Sequence, residues 1–328
     1  MSLGRSELAQ VLAPVEGGLR RMRDALRDEL QQSSGAVRDM TDHVGRFQGK
    51  QLRGALVLLS GEATGNTTDE HPGVAAIVEL IHLATLVHDD ILDGAEVRRR
   101  VACVNQRWDN QTAVLLGDFL YARAFARSTE LSSRLCSRLL AATTRDICVA
   151  EIEQSARRWD FDQSQEAYEA IAGGKTASLY AAACELGARY PGGNEELGAR
   201  MRTFGWELGL AFQIMDDCLD LLGDERIVGK SVGTDVEDGK VTLPVLYTYR
   251  LASAEQRAAM RDAYTLPGLS DRARELRSAC DLGPGIEFAT ARARNLVRAA
   301  LERLEVLPSG AARSALEEAA EFVLHRNW

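Results

Sequence analysis

The stretch VAAIVELIHLATLVHDDILDG, residues 74–94, decides the fold. Its apolar positions 74, 77, 78, 81, 84 and 92, with the methyl of Thr85, recur at i, i+3, i+4 and i+7, the period of a helix rather than a strand. Working outward, segments 111–131, 135–158, 164–189 and 195–222 repeat that period, and strand-like alternation is short and rare. Breaks are predicted at clusters of Gly, Pro, Ser and Asn: Ser33-Ser34-Gly35, Gly65-Asn66-Thr67-Thr68, Tyr190-Pro191-Gly192-Gly193, Leu266-Pro267-Gly268, Gly283-Pro284-Gly285 and Pro308-Ser309-Gly310. No proline falls between Pro72 and Pro191, Ala and Leu dominate, and aromatics are 6%, a mix that favours helix over sheet. The expectation is one all-α domain over residues 1–328, a large bundle of about ten or more helices around a central cavity, the kind of core that houses a site.

Lys plus Arg number 39 and Asp plus Glu 48, so the net charge of −9 excludes a generally basic, nucleic-acid-coating protein but leaves room for a local anion site. With 45% apolar and 27% charged residues, disorder and a disulfide scaffold are excluded. The six cysteines contain no C-x-x-C pair, so no zinc or redox spacing arises, and reduced thiols in a cytoplasmic protein are expected. The first residues lack the apolar core of a signal peptide, and no 18-residue apolar run predicts a membrane span.

Three constellations carry chemistry. In His88-Asp89-Asp90-Ile91-Leu92-Asp93, Asp89 and Asp93 lie four apart and share a helix face, with Asp90 about 100° round. Carboxylates so placed repel unless a cation sits between them, and hard oxygen donors suit Mg2+, which takes its remaining oxygens from water and phosphate. The spacing returns in Asp216-Asp217-Cys218-Leu219-Asp220, again after an apolar helix. One such motif reads as an acidic, solvated helix end; two, each in an apolar helix, point to a metal cluster between helices. The third constellation is basic: Lys50 and Arg53, three apart; Arg98-Arg99-Arg100; and Lys175, Lys230 and Lys240, each after a glycine that lets backbone approach an anion. Any one of these is ordinarily solvated surface. Together, in an acidic chain, they imply two bound anionic groups, one through metal and one held directly.

On these residues the chain resembles the trans-type polyprenyl (isoprenyl) diphosphate synthases. The matching segments are QGKQLRG (48–54), ELIHLATLVHDDILDGAEVRRR (79–100), AVLLGDFLYARA (113–124), GGKTASLYAAACELGA (173–188) and GLAFQIMDDCLDLLGDERIVGKSVGTDVEDGKVTLP (209–244). The resemblance implies the all-α isoprenoid synthase fold and chain elongation of an allylic diphosphate with isopentenyl diphosphate. It implies Mg2+, three ions with substrate bound, on Asp89, Asp93 and Asp216, with Asp90, Asp217 and Asp220 completing the clusters partly through water. Arg98 and Lys175 would contact the allylic diphosphate, with Lys230 near the leaving group and Lys240 among the substrate-binding cations. Lys50, Arg53, His82 and Arg99 would hold isopentenyl diphosphate without metal, and Thr176 and Gln213 would turn oxygen dipoles toward the allylic cation. The family is usually dimeric, which puts helices 111–131 and 135–158 forward as a homodimer interface, with no nucleic-acid partner and no stable membrane insertion.

The product would grow along the helix of the first motif. Ala84 and Thr85, one turn back, do not block it as an aromatic would, so a product of geranylgeranyl length or longer is expected, with Ile81 or the surroundings of Phe119 and Phe125 as a floor. Two departures bear on loop shape: Gln48-Gly49 and Gly54 stand where the family has two glycines and a proline, and Arg100 where it has a glycine. A class I terpene cyclase shares the fold but binds one diphosphate and has no use for Lys50, Arg53 and His82 together. A non-catalytic subunit of a heteromeric synthase would have lost an aspartate motif. Glu79-x-x-His82 lacks the second such pair a di-metal oxidase needs, and His88-Asp89 alone is a poor phosphohydrolase signature.

Overall fold

The computed structural model of the protein describes residues 9–33, 35–47, 49–98, 101–222, 233–269 and 271–325. Helix α1 (Glu16–Gln31) turns Leu19, Met22, Leu26 and Leu30 inward, one every three or four residues, and is followed by α2 (Ala36–Val44). Helices α3 (Leu52–Ala63) and α4 (His71–Leu92) are apolar on nearly every side and are buried accordingly. Pro72 sits in the first turn of α4, where no intrahelical N–H is lost. An antiparallel hairpin, β1 (Val97–Arg98) with β2 (Val101–Ala102), is the only strand pairing among the described residues. Then come α5 (Val104–Arg107), α6 (Asn110–Thr129), α7 (Leu135–Ala156), α8 (Gln165–Ala172), α9 (Ser178–Arg189) and α10 (Glu195–Leu222). The chain ends in α11 (Thr234–Glu237), α12 (Leu243–Leu251), α13 (Ala254–Thr265), α14 (Arg272–Ala279), α15 (Gly283–Leu304) and α16 (Ala311–Leu324). Side chains close several starts: Asp109 accepts from the Thr112 N–H of α6 at 2.6 Å, and Ser253 and Gln256 form a reciprocal capping box on α13.

Every residue of α9 from Ser178 to Ala188 is buried, which makes it the axis of the bundle. It packs on α3, α7 and α10, while α4 lies against α1, α3 and α6. Among the described residues no helix is long and apolar enough to cross a membrane.

Two details differ from the sequence reading. The stretch 164–189, expected as one helix, is split by a π-helical turn at Gly173–Ala177. A side chain on Gly173 would meet the Trp206 ring at 2.4 Å, and one on Gly174 would meet the Ala150 Cβ at 2.7 Å. The two glycines thus let α10 and α7 close on the turn from either side, and Lys175 and Thr176 project from it. The Gly283-Pro284-Gly285 cluster, expected as a break, instead opens α15, because proline is tolerated in a first turn.

Candidate active site

On α4 a line of partly exposed residues, His82, Thr85, Leu86 and Asp89, interrupts a buried helix at the i, i+3, i+4, i+7 spacing and runs on to Asp93. On α10 the partly exposed Phe212, Gln213, Asp216 and Leu219 form a similar strip. Each strip carries its carboxylates toward a helix C-terminus, where the backbone dipole already places negative charge. Such an arrangement requires cations, and among the described residues Lys240, Lys175 and Arg98 lie beside it.

The Lys240 ammonium lies 2.9 Å from Asp93 Oδ1, 3.0 Å from Asp238 Oδ2 and 3.6 Å from Asp235 Oδ1, joining the end of α4 to α11. Burial opposes ionisation of Asp93, but Lys240, then Lys175 and Arg98, outweigh it and hold its carboxyl below the usual range. The Lys175 ammonium lies 2.7 Å from Glu151 Oε1 and donates to Gln154 Oε1 at 3.2 Å, both on α7. Burial pushes the neighbouring Asp89 carboxyl up to about 7; Lys175 and Arg98 oppose this, and Glu151 and Asp93 add to it.

Asp90, Asp217 and Asp220, expected to complete the clusters partly through water, make hydrogen bonds within the protein. Asp90, 1% exposed, accepts from Arg98 Nε at 2.7 Å and meets its Nη2 at 2.6 Å. Asp217, buried on α10, accepts from Tyr168 Oη at 2.5 Å on one oxygen and from Gln213 Nε2 at 2.7 Å on the other. Asp220 accepts from the Thr234 hydroxyl at 3.0 Å and the Asp235 N–H at 3.1 Å, seating the start of α11. The reason lies in the helix: neighbours in a D-D pair diverge by about 100°, so one faces the opening and the other faces the core. Arg98 is thereby fixed by Asp90, and its guanidinium is held ready at the rim.

Asp89, Asp93 and Asp216 would hold a divalent metal, being oxygen donors of the hard class that Mg2+ prefers. The rise of Asp89 to about 7 is the mark of a carboxylate crowded by protein and short of positive charge. Among the described residues no three His, Cys, Asp or Glu side chains converge closely enough to hold a metal alone.

A second basic group lies where α3 begins. Arg53 Nη1 donates to His82 Nε2 at 3.1 Å, leaving the imidazole proton on Nδ1, and the guanidinium stacks on the Tyr180 ring at 4.5 Å. Tyr180 in turn meets Phe212 of the α10 strip, ring centres 5.5 Å apart. Lys50 places its ammonium 4.5 Å over the Phe322 ring of α16. Glu79 accepts from the Gly54 N–H at 2.7 Å, so it serves as a backbone anchor for α3. On the catalytic side, Thr176 Oγ1 donates to Gln213 Oε1 at 2.7 Å. Of the candidate chain-length residues, Thr85 lies on the open strip and donates to the His82 carbonyl at 2.7 Å, while Ala84 and Ile81 are fully enclosed, Ala84 being about 100° away from Thr85 round the helix. Arg99 and Lys230 lie outside the described residues.

The sequence reading missed Glu151, Asp235, Asp238, Tyr168 and Phe322. Asp235 and Asp238 had a signal in their D-x-x-D spacing ahead of Lys240; the other three had none beyond residue type.

A family model described as polyprenyl synthetase matches residues 35–280. The chain is 34% identical over 317 residues to an all-trans-nonaprenyl-diphosphate synthase (geranyl-diphosphate specific) of Rhodobacter capsulatus, covering 96% of this chain and 97% of that one. It is 35% identical over 323 residues to a heptaprenyl diphosphate synthase component 2 of Geobacillus stearothermophilus, covering 98% of both. A polyprenyl synthase from Caulobacter crescentus, solved with calcium and isoprenyl diphosphate, superposes with a TM-score of 0.92 at 31% identity over 98% of both chains.

Proposed function

The chain belongs to the polyprenyl synthetase family and is a prenyltransferase, and from that premise we propose that it condenses isopentenyl diphosphate with an allylic diphosphate, in Mg2+, to a trans product of geranylgeranyl length or longer. It acts as one domain over residues 1–328. The observation that carries the reading is the presence of two basic groups: Lys175, Lys240 and Arg98 beside the carboxylates at the mouth, and Arg53, bonded to His82, with Lys50 where α3 begins.

The chemistry follows from charge. Asp89, Asp93 and Asp216 would hold Mg2+ against the allylic diphosphate, and the metal, when bound, neutralises the charge that develops as this group leaves. Lys175 and Arg98 add fixed positive charge on the same side. Thr176 and Gln213 turn oxygen atoms toward the allylic carbon, and Phe212 and Leu86 keep water from it. Arg53, His82 and Lys50 hold isopentenyl diphosphate so that its double bond faces that carbon, and this positioning supplies much of the rate. The departing diphosphate is the base for the final proton, so no protein base is required. Asp90, Asp217 and Asp220 act as supports for Arg98, Gln213 and α11. Lys230 and Arg99 keep the roles on the leaving group and on isopentenyl diphosphate that the resemblance implies.

The reading extends to a homodimer. Val114 and Leu115 on α6, with Val149 and Ile152 on α7, are exposed, Leu115 at 60% and Ile152 at 68%. Exposed apolar residues on successive helices are what such an interface would cover.

The test that separates this reading from a cyclase is diphosphate release with and without isopentenyl diphosphate. A chain-elongating enzyme releases diphosphate from geranyl or farnesyl diphosphate only when isopentenyl diphosphate is added, and Arg53→Ala raises the KM for isopentenyl diphosphate alone. Release from the allylic substrate by itself, unaffected by Arg53→Ala, would contradict it.

A further inference from the structure

Tyr168, on α8, is fully buried against α10 and belongs to none of the constellations read from the sequence. Its hydroxyl donates to Asp217 Oδ2 at 2.5 Å; Gln213 Nε2 donates to Asp217 Oδ1 at 2.7 Å; Thr176 Oγ1 donates to Gln213 Oε1 at 2.7 Å. Four side chains from α8, α10 and the π-helical turn thus form one continuous hydrogen-bonded chain, running from Tyr168 through Asp217 and the partly exposed Gln213 of the α10 strip to Thr176.

The direction of this chain has a chemical consequence. A primary amide can present either its oxygen or its NH2 group to a given neighbour, and a carboxylate only accepts. Burial pushes the Asp217 carboxyl above its ordinary range, yet both of its oxygens accept, so the NH2 group of Gln213 is drawn to Asp217 and its oxygen is turned to the side of Thr176. Thr176 donates its one proton to that oxygen and Asp217 takes one of the two amide protons, so the pair turns lone pairs to a positive carbon on the Thr176 side. Were the amide reversed, an N–H dipole would meet a developing cation and raise its energy. The tyrosine hydroxyl is what keeps the second Asp217 oxygen seated; without it the carboxylate is free to rotate, and the amide loses its reference.

We propose that Tyr168 is a positioning residue for the prenyl-transfer step: through Asp217 it fixes the amide of Gln213 so that oxygen, not nitrogen, faces the allylic carbon. In the same arrangement Asp217, with both oxygens occupied, orients the amide and is not a direct metal ligand. The proposal rests on the reading that the chain elongates allylic diphosphates and that Gln213 and Thr176 lie beside the ionising carbon.

The experiment uses the full chain and Tyr168→Phe, which keeps the ring and removes the donor. Expected are a kcat about tenfold lower, the cost of one buried hydrogen bond to a charged group, and KM values for both diphosphates within about twofold of wild type. Titration of Mg2+ with inorganic diphosphate into the variant, followed by calorimetry, should give the wild-type affinity. In a Gln213→Leu background the same substitution should have no further effect on kcat, because the group it acts through is gone. A loss that multiplies with Gln213→Leu, or a kcat equal to wild type, overturns the relay, and weakened Mg2+–diphosphate binding overturns the assignment of Asp217. If thermal melting shows that Tyr168→Phe does not fold, 3,5-difluorotyrosine at 168 keeps the shape and changes only the donor. A shift in kcat with unchanged KM then supports the relay, and an unchanged kcat overturns it. A wild-type chain inert with every allylic primer overturns the underlying reading and the relay with it, whereas an active wild type with a normal Tyr168→Phe variant overturns the relay alone.

Discussion

Replacing Thr85 by Phe tests where the growing chain runs. Thr85 lies on the open strip of α4, four residues before Asp89, which is about 6 Å along the axis. An isoprene unit adds four carbons to the chain, and at about 1.5 Å per bond, foreshortened by the zigzag, it advances about 5 Å. A tail starting a few ångströms above Asp89 therefore reaches the level of Thr85 within about two units. A phenyl ring there meets the third, so the product of Thr85→Phe should stop at geranyl or farnesyl diphosphate. The cost to the fold is small: the hydroxyl lost bonds only to the His82 carbonyl within the same helix, about 0.5–1 kcal/mol. Ala84→Phe makes the control, since Ala84 is fully enclosed and a phenyl ring overpacks the core by about 1–3 kcal/mol. The assay is incorporation of labelled isopentenyl diphosphate with products resolved by chain length, beside a thermal melt. An unchanged ladder in a folded Thr85→Phe variant would refute the path along α4.

Other consequences are as specific. Burial lifts Asp89 to about 7 in the metal-free protein, so the fold disfavours its charged form, and stability present below about pH 4 is lost as pH rises through 7. Asp89→Asn should therefore abolish turnover and raise the melting temperature in chelator at pH 8, with the gain shrinking toward pH 5; equal destabilisation at both pH values would argue against this. Phe322→Leu removes the ring under the Lys50 ammonium, worth about 0.5–1 kcal/mol, and should raise the KM for isopentenyl diphosphate about two- to fivefold with kcat unchanged, with Phe322→Trp restoring it. Equal changes in both KM values would show that Phe322 serves packing only. Ile152→Glu should lower self-association in sedimentation; a monomeric wild type would remove the homodimer from the account.

The helical period of residues 74–94 and the two D-D-x-x-D spacings were enough to reach the fold and the acidic mouth. What they did not reveal is direction. The spacing sets Asp89 with Asp93 and turns Asp90 about 100° away, yet only packing says that the first face is open and that Asp90 clamps Arg98. The partners of Lys175 and Lys240 were hidden for a different reason. Glu151 and Asp93 are 24 and 147 residues from the lysines they meet, and nothing local marks such a pairing. The π-helical turn at Gly173–Ala177 was not legible either: its two glycines admit Trp206 and Ala150 from other helices, and nothing local marks that approach. The enclosure of Ala84 likewise belongs to tertiary packing, so the sequence offered Ala84 and Thr85 as equivalent where the fold separates them.

The central claim is that two diphosphates bind, one through metal and one directly, and that the second is consumed in elongation. The most direct measurement is incubation of the purified chain with Mg2+, labelled isopentenyl diphosphate and, separately, dimethylallyl, geranyl and farnesyl diphosphate. The account predicts a ladder of products that ends at one length, geranylgeranyl or longer, and vanishes with Asp216→Ala. No incorporation from any primer, in protein shown to be folded, would contradict it.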